Sequence, residues 1–105
     1  MSDTRAGRIA DGFKEPIANY QLDTTTDDAS VTIPWEHRCL SFYSRDKQHR
    51  WNVNAASASN THFVAQDERI VLRMPDNGGS AIKLHARVNG SGTGSLEITC
   101  YAEDT

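Results

Sequence analysis

The chain has 105 residues, enough for one domain with a modest core and little left over for a second. Its 11 basic and 14 acidic side chains are dispersed, for a formal net charge of −3, so it lacks the basic footprint of a duplex nucleic-acid binder. No stretch approaches the ~20 apolar residues of a membrane helix, and the N-terminus "MSDTRAGRIADGFKEP" has no signal-peptide core, so a soluble protein made in the cytoplasm is expected, with no nucleic-acid or membrane partner.

Residues 1–28 carry isolated apolar positions, Ile9, Phe13, Ile17, Tyr20 and Leu22, among charges, glycines and the polar run "LDTTTDD". Neither a period of 2 nor one of 3.6 is sustained, so this segment reads as an extended N-terminal arm. From residue 29 to 105 short alternating segments arrive about every ten residues with turn chemistry between them, the pattern of a single antiparallel β-sandwich or barrel. "ASVTIPW" presents Val31 and Ile33 to one side, "RCLSFYS" presents Leu40 and Phe42, and "RWNVNA" presents Trp51 and Val53. "THFVA" centres on Phe63, and "ERIVLRM" presents Ile70, Leu72 and Met74. "AIKLHARV" presents Ile82, Leu84, Ala86 and Val88, and "SLEITCYA" presents Leu96, Ile98 and Cys100. The fold class is therefore all-β with about seven strands. The Ala- and Ser-rich "NAASASN" has no apolar stripe and reads as a loop rather than a helix.

The last two segments flank "NGSGTGS". Its glycines lead into a strand and not into a helix N-terminus, so they are turn residues rather than a phosphate cradle. If the flanking strands pair as a hairpin with Val88 opposite Leu96, then Ala86 faces Ile98 and Leu84 faces Cys100 inside, while Arg87 faces Glu97 outside as an opposite-charge pair.

Groups able to carry chemistry are few. Cys39 and Cys100, 61 positions apart, have neither metal spacing nor a disulfide framework and read as reduced, buried small hydrophobes. The sequon Asn89-Gly90-Ser91 has no chemistry to receive without a secretory route. His37, His49, His62 and His85 form no i, i+2 or i, i+4 pair that would present two rings to one metal ion, and His85 alternates with Lys83 and Arg87 on an outward face. No cofactor is called for, and an enzyme is the least favoured class. "SRDKQHR" gathers Arg45, Lys47, His49 and Arg50 around Asp46; it reads as a solvated hairpin or as a basic tip for an acidic partner surface. Its acidic counterpart would be Asp23, Asp27 and Asp28, and complementary patches suggest contact between copies. Trp35, after Pro34 at a strand end, is the aromatic expected to be partly exposed, at a subunit contact or a ligand.

Residues 20–105 resemble small virion proteins of tailed bacteriophages, in the succession "TTTDDASVTIPW", "RCLSFYSRDKQHRWNVN", "FVAQDERIVLRM" and "IKLHARVNGSGTGSLEITCYAED" after an arm. The resemblance implies a capsid decoration (cement) protein, a trimer on the outer surface of the capsid that bridges subunits of the major capsid protein. Ile9, Phe13, Ile17 and Tyr20 are then the expected anchors of the arm on its partner. A tail, baseplate or fibre component is the nearest alternative. A small carbohydrate-binding module using Trp35 or Tyr43 is the alternative of another class.

Overall fold

The computed structural model describes residues 13–75 and 77–103. They form eight strands: β1 (Phe13–Thr24), β2 (Ala29–Ile33), β3 (Cys39–Arg45), β4 (His49–Val53), β5 (His62–Val64), β6 (Arg69–Arg73), β7 (Ile82–Val88) and β8 (Gly94–Glu103). One 3₁₀ turn, Trp35–His37, stands between β2 and β3. Strands β2 to β8 coincide with the seven segments expected from period-2 alternation, and the remaining strand, β1, comes from the segment assigned to the arm.

The strands make two antiparallel four-stranded sheets, ordered β1-β8-β3-β6 and β2-β7-β4-β5. Four pairings are nested: β1 with β8, β2 with β7, β3 with β6 and β4 with β5. The chain thus behaves as one long hairpin, turning at β4–β5, whose ladder is rolled up until β3 meets β8 and β4 meets β7. An eight-stranded ladder wrapped in this order is a jelly roll, an open two-sheet sandwich rather than a closed barrel.

Alternation carries the core. Ile82, Leu84, Ala86 and Val88 from β7 and Leu96, Ile98 and Cys100 from β8 are all buried, with Ile33, Leu40, Phe42, Val64 and Met74 packed among them. Full burial of each larger aliphatic or aromatic side chain contributes roughly 1.5–3 kcal/mol. Phe42 from the first sheet meets Trp51 from the second edge-on, ring centroids 5.2 Å apart, so the two layers interlock through aromatic contact as well.

Two expectations need correction. Residues 13–24, assigned to the arm, are an edge strand paired with β8 from Phe13↔Glu103 to Thr24↔Gly94. Its inward set, Ala18, Tyr20, Leu22 and Thr24, holds a single aliphatic side chain larger than alanine, and the register shifts on either side of Pro16 break the period; both disguise a strand. Residues 1–12, including Ile9, lie outside the described residues.

Strands β7 and β8 do not form the expected hairpin. They lie in opposite sheets, so Arg87 stands opposite Arg50 and Glu97 opposite Tyr43 and Gln21. The inward parity of Leu84 and Cys100 is as expected, but they reach the core from facing sheets instead of adjacent strands. The glycines serve the crossing: Gly90 and Gly92 adopt φ of 141° and 89°. A Cβ on Gly94 would stand 3.1 Å from the Lys47 side chain and 3.2 Å from the Arg45 carbonyl, so the β7–β8 crossing packs directly on the β3–β4 crossing.

Candidate functional site

Two places concentrate polar chemistry. The first is buried where the sheets meet. Thr24 of β1, Ser44 of β3 and His49 of β4 are each 0–1 % exposed. The Ser44 hydroxyl donates to the Lys47 carbonyl at 2.6 Å, so its oxygen accepts from His49 Nδ1 at 2.7 Å. His49 Nε2 is then the unprotonated nitrogen, and it accepts from the Thr24 hydroxyl at 2.7 Å. Every polar atom of the imidazole is used in the neutral state. Burial holds its pKa below the ordinary histidine value, against a smaller upward effect of the Lys47 backbone. A serine beside a histidine suggests a nucleophile and its base, but no substrate can reach groups with this exposure. The cluster instead ties the first sheet to the second through charge-free hydrogen bonds.

The basic tip expected from "SRDKQHR" is dispersed by the fold. Arg45 pairs with Glu97 across β3 and β8, Lys47 lies half-buried against the β7–β8 crossing, His49 is inside, and Arg50 faces outward from the other sheet. The alternation of β4 explains the split: His49, Trp51 and Val53 point inward, and Arg50 takes the opposite face. Trp35 is half-buried with the Arg38 guanidinium 4.2 Å over its ring. Tyr43 is half-buried and donates its hydroxyl to Asp67 at 2.9 Å. Of the anchors assigned to the arm, Phe13 begins β1, Ile17 is 47 % exposed beside the irregular register, and Tyr20 packs against the core with its hydroxyl 2.8 Å from His37 Nδ1. Both cysteines are free and buried, and they occupy opposite faces of their sheet because Cys100 stands opposite Leu40 and not Cys39. Burial, with Cys39 nearby, pushes the Cys100 thiol up to about 12.

The second place is the outer face of the second sheet. One row across it runs Arg87, Arg50, Phe63, and the next runs Ser30, His85, Asn52, with Lys83 beyond, opposite Thr32. Phe63 is 44 % exposed. The Arg50 guanidinium lies 5.0 Å from the Phe63 ring centre and donates to the Thr61 carbonyl at 3.0 Å, while its Nε is buried without a hydrogen-bond partner. At the margin, Asp28 Oδ2 meets His85 Nδ1 at 2.9 Å while Oδ1 accepts from the Ser57 amide at 2.8 Å. Burial opposes ionisation of Asp28, but the bonds from Ser57 and His85 outweigh it and hold its carboxyl below its ordinary value. Phe63, Lys83 and Arg87 were not among the expected site residues. The outward alternation of Lys83, His85 and Arg87 was legible, but the adjacency of β7 and β4 was not.

Comparison of the chain with family models, with curated proteins and with solved structures returned no match.

Proposed function

We propose that this chain is a structural virion protein, a bacteriophage capsid decoration protein that bridges and stabilises subunits of the major capsid protein. The observation that supports this reading is the nested strand order, because eight-stranded jelly rolls are a recurrent solution for viral capsid domains. The resemblance of residues 20–105 to phage virion proteins supports the same reading. The mechanism needs no turnover: many copies of a small clamp, each contributing a few kcal/mol across a subunit boundary, raise the cost of opening any one boundary. A homotrimer on the capsid surface is part of the proposal. A tail, baseplate or fibre location uses the same sandwich elsewhere on the particle.

Lectin domains share the jelly-roll architecture, which supports a carbohydrate-binding module as a second reading. Exposed Phe63 is then the stacking residue, in place of Trp35 or Tyr43. Quantification of the protein in purified heads and purified tails tests the first reading: stoichiometric presence in heads supports decoration, and absence from both ends it. Glycan-array binding by the isolated protein, abolished by Phe63→Ser, supports the second.

A further inference from the structure

The outer face of the second sheet brings like charges together on neighbouring strands. Arg87 and Arg50 stand directly opposite on adjacent strands, a like-charge pair of the kind that weakens a sheet. Neither they nor Lys83 forms an ion pair with an acidic residue among the described residues; the carboxylate of Asp28 goes to His85 and Ser57. Three cations without an ion pair among the described residues therefore share one face of a protein whose net charge is −3.

We propose that this face docks a short acidic segment of a partner protein, a cluster of Asp or Glu side chains with an apolar residue beside it. Its carboxylates sit between the Arg87 and Arg50 guanidinium groups, which suit them bidentately, and the apolar residue covers Phe63. Size limits the occupant. Arg87, Arg50 and Phe63 lie on three neighbouring strands, a width of about 10 Å, and Lys83 is four residues along β7 from Arg87, about 13 Å. A polyanion longer than this patch, such as a nucleic acid or a sulfated polysaccharide, would run past it onto a molecule with excess negative charge. A compact carboxylate cluster would not. Arg50 already lies over the Phe63 ring and is tied to Thr61, so less of its side-chain freedom remains to be lost on binding. The inference does not depend on the virion assignment, since binding to an acidic peptide and presence in heads are measured separately.

The test is titration of the ¹⁵N-labelled full chain with a hexaglutamate peptide carrying one leucine, and in parallel with a heparin hexasaccharide, at low salt. The expected result is saturable amide shifts centred on Arg50, Phe63, Lys83 and Arg87, weakening as salt shortens the screening length from about 30 Å at 0.01 M to about 10 Å at 0.1 M. Arg87→Gln should weaken peptide binding at least tenfold while its thermal midpoint is no lower than the parent's, because the like-charge pair is removed. Phe63→Ser should weaken it several-fold. Absence of shifts on this face, shifts centred elsewhere, tighter binding of heparin at the same residues, or unchanged affinity in Arg87→Gln would each overturn the proposal. So would salt-sensitive dimerisation of the protein alone that Arg87→Gln abolishes, which would make the occupant a second copy.

Discussion

Replacing His49 with alanine removes a side chain that hydrogen-bonds to both Thr24 of β1 and Ser44 of β3 from the opposite sheet. The Thr24 hydroxyl, 1 % exposed, loses its acceptor, and an orphaned buried donor costs about 1–3 kcal/mol. The vacated ring volume lies in a packed interior, where truncation of a large side chain costs about 2–5 kcal/mol. Together these predict a loss of roughly 3–8 kcal/mol, a large part of the 5–15 kcal/mol that holds a typical domain. Urea unfolding at pH 8, followed by tryptophan fluorescence, should show it directly, and the thermal midpoint should fall by more than about 10 °C. The loss should shrink with acidity. Because the folded pKa of His49 lies below its ordinary unfolded value of about 6.5, the neutral ring contributes stability that is fully present above that pH and is lost as pH falls through the folded value. Contributions common to both proteins cancel in the difference. Wild type and variant should therefore differ more at pH 8 than at pH 5. A difference below about 1 kcal/mol at pH 8, or one that does not change between the two pH values, would refute the assignment of a neutral, fully bonded His49.

Other outcomes follow from the same structure. Asp28→Ala should destabilise the protein by about 1–3 kcal/mol in urea, because the Ser57 amide and hydroxyl lose their acceptor. With a folded pKa below the ordinary carboxylate value, Asp28 contributes stability above about pH 4 that is lost as pH falls through the folded value, so the acid limb of wild type should flatten in the variant. Neither cysteine should react with a thiol reagent at pH 8 in the native state, given the burial of both and the pKa of about 12 for Cys100, and two equivalents should appear in denaturant; rapid native labelling would contradict the burial of that core. Deletion of residues 1–20 should lower the thermal midpoint substantially, since it strips the β1–β8 ladder as far as Tyr20 and removes that half-buried ring from the edge of the core, where full burial would be worth about 1.5–3 kcal/mol. An unchanged midpoint would mean that β1 adds nothing to the sandwich.

Alternation along the sequence determined the class and nearly all the strands, because a two-residue period needs only local information. It placed Leu84, Ala86, Val88, Leu96, Ile98 and Cys100 inside, and Lys83, His85 and Arg87 outside. It missed β1, where Leu22 is the single large aliphatic among the inward Ala18, Tyr20, Leu22 and Thr24 and Pro16 interrupts the register. Which strands lie side by side was decided only by tertiary structure. A five-residue connection between Val88 and Gly94 is as able to close a hairpin as to cross the roughly 10 Å between sheets, and the buried faces of β7 and β8 look the same either way. The crossing exchanges an Arg87–Glu97 pair for Arg87 opposite Arg50, and it brings Phe63 into their row. The same wrapping carries His49 out of a run of exposed cations and into contact with Thr24, 25 residues away. Each candidate site joins a pair from consecutive strands, Ser44–His49 or Arg50–Phe63, to a residue distant in sequence, Thr24 or Arg87. Period and spacing report which face a side chain takes, and only the rolled ladder determines its neighbours on that face.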